Sequence, residues 1–217
     1  MPIRHVFWDF DGTLADTYTL LTQEFLKALS RLAPDFQPDW EDAYRELKVT
    51  VGHACRVFAA KAALSPDVLS AAFAEEHARE TLKPENLYPG TESCLEASQK
   101  AGCIHYLFTN RDSRAADALE SCGILSYFPV LLTRDSGYAL KPEPDALVAA
   151  VEQYHFLPEE AVMIGDRDID LISARRAGIR GILFDPDDFY PQEPADWRVS
   201  DMKQLEKLLL SLSEENA

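Results

Sequence analysis

Basic residues are scarce in this chain. Its 217 residues include 21 lysines and arginines against 37 acids, a formal charge of −16. Such an excess of acid repels a phosphate backbone, which excludes nucleic acid as a general partner. No apolar run approaches the roughly 18 residues of a membrane helix, which excludes a membrane partner of that kind. The first apolar stretch, Val6-Phe7-Trp8, is broken by Asp9 and Asp11 and so is no signal peptide. Cysteine is sparse too. Cys55, Cys94, Cys103 and Cys122 form no C-x-x-C pair and meet no histidine at metal spacing. They read as reduced core thiols of a cytoplasmic protein. There are no internal repeats and no low-complexity segments.

What is present is an ordinary globular composition, with 47% hydrophobic residues. Its length suits one domain, or one domain carrying an insertion. Residues 3–8 form an apolar run of strand length that stops at Asp9. From Asp16 the period becomes helical, with Leu21, Phe25, Ala28, Leu29 and Leu32 on one face. A second helix is expected around Trp40–Leu47 and a third after Gly52. Ser65-Pro66 opens a fourth, with a cap and a first-turn proline. Past Tyr88-Pro89-Gly90, strands and helices alternate. Strands are expected at 103–108, 129–132, 161–164 and 181–184, with helices from Thr91, Asp112 and Pro144, one ending at Gly178, and a last one through Leu212. Gly102, Gly123 and Gly178 sit where left-handed C-terminal caps belong. The fold class is therefore α/β: a Rossmann-like parallel sheet core flanked by helices, with an inserted all-α cap domain. The core is expected at 1–16 and 86–217 and the cap at 17–85. The acid-rich tail from Ile182 reads as a solvated outer surface.

Chemistry in an open parallel sheet sits beyond the carboxyl ends of its strands. The expected strand ends here carry Asp9-Phe10-Asp11-Gly12-Thr13, Thr109-Asn110-Arg111 and Gly165-Asp166-Arg167-Asp168-Ile169-Asp170, and Lys141-Pro142 precedes a helix. Each piece alone has a plain reading, as a helix cap, a turn former or a solvated charge. An EF-hand is excluded, because the glycine at position six and the glutamate at twelve are missing. Together, in this order, the pieces resemble the motifs of the haloacid dehalogenase superfamily of phosphotransferases. Asp9, Asp11, Gly12 and Thr13 match DxDGT, Thr109 the second motif, Lys141 the third, and Asp166 and Asp170 the GDxxxD of the fourth. The inserted helices resemble the cap of phosphoglycolate phosphatases and β-phosphoglucomutases.

The resemblance implies a phosphatase of small phosphorylated metabolites that works through an aspartyl-phosphate. Asp9 is the implied nucleophile and Asp11 the implied acid and base. Thr109, Asn110 and Lys141 are the implied phosphate grip. Converging carboxylates need a cation, and hard oxygen ligands suit Mg2+. The family pattern places it on the side chains of Asp9 and Asp166 and the backbone carbonyl of Asp11, with Asp170 behind them holding a water or Lys141. The segment 48–56 lies between two cap helices, with Gly52 permitting a tight turn, and offers Lys48, His53 and Arg56 as candidates for substrate specificity. Arg111, Arg114 and Arg167 stand near strand ends without being taken as substrate contacts. A β-phosphoglucomutase-like phosphotransferase and a non-catalytic binding protein of the same fold are the alternatives. A dehalogenase, which lacks the second aspartate, is disfavoured by Asp11. Oligomeric state is not legible.

Overall fold

The computed structural model describes residues 1–78 and 82–214. The chain forms two compact units, Met1–Ala15 with Leu82–Ala217, and Asp16–Thr81. The first holds a six-stranded sheet: β1 His5–Trp8, β2 Ile104–Phe108, β3 Val130–Leu132, β4 Ala161–Gly165, β5 Arg180–Phe184 and β6 Trp197–Val199. All five neighbouring pairs are parallel, in the order β3-β2-β1-β4-β5-β6. The order reverses direction beside β1, which is where an open sheet leaves a crevice.

Register explains why the strands read as unbroken apolar runs. Phe7 sits opposite Tyr106 on one side and Met163 on the other, and these side chains enter one core layer. Val6, Trp8, Leu107, Val162 and Ile164 alternate with them and enter the other. Helix α5 (Thr91–Lys100) packs with α9 (Met202–Glu214) beside the second layer, and α7 (Asp145–Tyr154) and α8 (Asp168–Arg176) contribute to the first. Between β2 and β3 lies the short helix α6 (Ala115–Ser121), well inside the expected span from Asp112 to Gly123. Gly102, Gly123 and Gly178 have φ of +91°, +77° and +74°, the left-handed geometry expected of them.

The second unit contains α1 (Thr17–Leu32), α2 (Trp40–Val49), α3 (Val51–Lys61) and α4 (Pro66–His77) around Phe25, Leu47, Phe58, Leu69 and Phe73. Asp16 caps α1, accepting the Thr19 N–H at 3.1 Å. Ser65 stands at the start of α4, although its side chain makes no cap hydrogen bond.

Two expectations need correction. Gly52 makes no turn: α3 already begins at Val51, so only Thr50 separates α2 from α3, and Gly52 is not among the glycines with positive φ. The Thr50 side chain, accepting the His53 N–H at 3.0 Å, makes the break. The tail from Ile182 is not simply a solvated surface, because Leu205, Leu209 and Leu212 are buried with Asp185, which accepts from Phe189, Tyr190 and Arg198. It also supplies the edge strand β6, which the sequence did not suggest.

Candidate active site

Asp9 follows β1, Thr109 follows β2 and Asp166 follows β4, so their side chains emerge at the same edge of three adjacent strands. Lys141, four residues before α7, reaches into the same corner. Its Nζ lies 2.8 Å from Asp9 Oδ1, 2.6 Å from Asp170 Oδ1 and 3.1 Å from the Phe108 carbonyl. Three acceptors match the three N–H groups of an ammonium. Burial alone pulls Lys141 down, but Asp170 and Asp9 outweigh it and hold the ammonium above its ordinary value.

The second oxygen of Asp170 accepts the Arg167 N–H at 3.1 Å, so the start of α8 fixes the carboxylate that fixes Lys141. Gly165, the last residue of β4, makes room for it: a Cβ there would fall 2.3 Å from Asp170 Cβ. The backbone of Lys141 is held as well. Asn110 Oδ1 accepts its N–H at 3.0 Å and Asn110 Nδ2 donates to its carbonyl at 3.3 Å. The Asn110 side chain is thus a clamp on Lys141, a duty that the sequence did not disclose.

Asp9, Asp166 and Asp170 each bring a carboxylate oxygen within 4.8 Å of the others, all three buried. At that separation two carboxylates repel by about 3 kcal/mol at an effective dielectric near 20. One ammonium cannot neutralise three of them. Burial pushes the Asp9 carboxyl up to about 7, with Lys141 opposing and Asp170 and Asp11 adding to the rise. The corner is short of positive charge and rich in hard oxygen donors, so its residues fit a magnesium ion.

The Asp11 side chain is engaged elsewhere. Arg111 Nε donates to its Oδ2 at 2.7 Å and Nη2 to its Oδ1 at 2.6 Å. Burial lowers the Arg111 guanidinium, and Asp11 more than restores it. Thr109, also buried, accepts the Arg111 backbone N–H on its hydroxyl at 3.2 Å. Arg111 was named at its strand end and Gly165 in the fourth motif, but the sequence reading gave neither of them a role in the site. The signal for Arg111 was its place two residues past Thr109 in a chain short of bases. Arg114, by contrast, forms an exposed pair with Asp112.

The three cap candidates are described within their own unit. Lys48 lies in α2, buried, its Nζ 5.4 Å from the Tyr18 ring centre and 5.5 Å from that of Tyr44. His53, in α3, lies 2.7 Å from Glu46 through its Nε2. Arg56 is one turn further along α3 and exposed.

A parallel sheet in this order, with carboxylates and a lysine gathered at its strand ends, defines an α/β enzyme core. The chain belongs to the haloacid dehalogenase-like hydrolases, whose family model matches residues 3–178. It is similar to a phosphoglycolate phosphatase of Vibrio cholerae, 29% identical, with 81% of each chain covered. An N-acetylmuramic acid 6-phosphate phosphatase of Pseudomonas aeruginosa is 30% identical over 91% of this chain and 88% of the relative. Among solved structures, a hydrolase from Streptococcus pneumoniae is 30% identical with a TM-score of 0.69, covering 85% of this chain and 94% of the other. The chain is thus an enzyme, and its Vibrio cholerae and Pseudomonas aeruginosa relatives are phosphatases. No helix among the described residues is long and apolar enough to cross a membrane, and all four cysteines are free and buried.

Proposed function

We propose that the chain is a magnesium-dependent phosphoric monoester hydrolase that acts on a small phosphorylated metabolite in the cytoplasm through an aspartyl-phosphate on Asp9. The observation that carries this reading is the buried Asp9 carboxylate, 2.8 Å from Lys141 and clustered with Asp166 and Asp170. The side chains of Asp9 and Asp166 and the backbone carbonyl of Asp11 would hold the ion. When bound, magnesium supplies the positive charge that lets an anionic ester approach this acidic corner.

Lys141 holds Oδ1 of Asp9 and leaves Oδ2 to attack phosphorus. As that bond forms, the bond from phosphorus to the leaving oxygen breaks, and the proton carried by Asp11 passes to that oxygen, releasing an alcohol. Asp11, now a carboxylate, takes a proton from water. The water oxygen attacks phosphorus, the bond to Asp9 breaks, and inorganic phosphate leaves. The Lys141 ammonium, the Thr109 hydroxyl and the Asn110 backbone N–H stabilise charge on the transferring group. Asp170 keeps Lys141 in place.

The core at 1–16 and 86–217 would perform the reaction, and the cap at 17–85 would select the ester. Lys48, His53 and Arg56 are its candidates for meeting an anionic group beyond the phosphate. Of the three, Lys48 is the buried one, with its ammonium close to the Tyr18 and Tyr44 rings.

The test is release of inorganic phosphate from a panel of monoesters, with and without magnesium. Wild-type protein should hydrolyse at least one ester only when the metal is present. Asp9→Asn keeps the shape but removes the nucleophile, and should lower turnover by at least about a thousandfold. Turnover after exhaustive chelation, or near-wild-type turnover by Asp9→Asn, would overturn the reading.

A further inference from the structure

We infer that Arg111 is a positioning residue of this site: its guanidinium fork fixes the plane of the Asp11 carboxylate, the proton carrier of the proposed reaction. The inference rests on that reaction and adds to it a residue outside the family motifs. Two parallel N–H···O bonds of 2.7 and 2.6 Å leave the carboxylate no freedom to rotate. The arginine is itself braced. Its guanidinium lies 5.0 Å from the centre of the buried Phe10 ring, its backbone N–H reaches Thr109 Oγ1, and its carbonyl accepts the Arg134 N–H at 2.7 Å.

The pair is unlike the incidental contacts of a surface. Arg114 and Asp112 are two residues apart, and the arginine is 79% exposed. Arg111 and Asp11 are 100 residues apart, with side chains 25% and 27% exposed, and they tie the loop after β1 to the loop after β2. A phosphate-gripping arginine would aim its fork at the substrate. Here Nε–H and one Nη2–H, the two parallel donors of the fork, both go to Asp11, which leaves the other three N–H groups outside that fork. With that fork lost, Asp11 could swing away from the leaving oxygen while Asp9, Lys141 and the phosphate grip stayed in place.

That difference can be read from leaving groups. An alkoxide needs a proton in order to depart, whereas p-nitrophenolate scarcely does, and kcat/KM reports only steps up to its departure. Arg111→Ala should therefore lower kcat/KM for glycerol 2-phosphate by about tenfold or more, with a several-fold smaller loss on p-nitrophenyl phosphate. Arg111→Lys, which keeps the charge but has no fork, should recover little of the loss. In an Asp11→Asn background, Arg111→Ala should cost nothing further on glycerol 2-phosphate. Equal losses on both esters would make Arg111 a phosphate ligand and overturn the inference. So would full recovery with lysine, or an additive loss in the double variant. Thermal melts of all variants, with Arg111→Gln as the milder change, separate misfolding from mispositioning. The wild-type enzyme and Asp9→Asn serve as controls, because a failure of the phosphatase reading appears in them and not in Arg111 alone.

Discussion

Trp8 Nε1 donates to His105 Nδ1 at 3.0 Å, and His105 Nε2 lies 3.2 Å from the Leu95 carbonyl, all within the buried core. Nδ1 must accept, so the ring proton belongs on Nε2. A second proton on Nδ1 would face the indole N–H with no acceptor between them. Burial accordingly pushes the His105 pKa down to about 4, against 6.5 for a free imidazole. Between these values the unfolded chain binds a proton that the folded chain refuses. Stability from this group is complete above about pH 6.5 and falls as pH drops toward 4, by up to about 3 kcal/mol. Urea unfolding at about pH 7 and pH 5 should show a larger loss in the wild type than in His105→Gln. Equal losses would remove His105 as the cause. Nothing in the sequence marks this histidine, since a histidine in an apolar strand looks the same whether buried or at an edge. The motif residues were singled out for the opposite reason: Asp9 and Asp166 stand where apolar runs stop, Lys141 stands just before a helix, and the resemblance gives each of these residue types a role. Arg111 and the Asn110 side chain were not, because their duties are toward other residues 31 to 100 positions away.

The junction of β4 with α8 has no room for a side chain at Gly165. Gly165 is there because Asp170 fills the space that a side chain would need. Gly165→Ala should destabilise the protein by about 1–3 kcal/mol through overpacking. It should also displace Asp170 from Lys141 and lower phosphate release by about a hundredfold. A thermal melt and a rate measured on the same preparation check both parts, and a normal melt with normal turnover would show that Asp170 need not sit where it does. At this scale the central strands β1, β2, β4 and β5 were plain in the sequence, because burial on both faces makes a continuous apolar run. The edge strand β6 was not. Three residues with Arg198 in the middle carry no such pattern, and its place depends on pairing with β5. The α2–α3 break was misread because glycine suggests a turn, whereas the hydroxyl of Thr50 was enough to restart the helix.

For the whole molecule, the proposed magnesium ion and a proton would compete for the same corner. With Asp9 pushed up by burial to about 7 and its unfolded value near 3.8, the folded protein keeps a proton that the unfolded chain has released. Metal-free stability therefore falls as pH rises through that interval. A bound cation would replace that proton. Saturating magnesium should raise the melting temperature by several degrees at about pH 8, where a ligand at a hundred times its Kd contributes about 2.7 kcal/mol, and by clearly less at about pH 5.5. Calorimetry at the two pH values decides it; equal shifts, or none, would mean that the metal does not meet Asp9. The insertion bears on something else, the order in which the chain can fold. Within the core unit Ala15 pairs with Leu87, and the Tyr88 N–H reaches the Leu14 carbonyl, so the chain returns beside its point of departure. Within the other unit Glu24 in the middle of α1 meets His77 at the end of α4, while Arg31 near the C-terminal end of α1 meets Glu75, so the bundle's first and last helices lie antiparallel side by side. Closing a disordered loop of some 70 residues costs roughly 2 kcal/mol more than closing one of about five. A bundle that folds early removes that cost before β1 has to find β2 across nearly a hundred residues. Mutations that loosen the bundle should then slow the pairing of β1 with β2 and β4, although no bundle residue lies in the sheet.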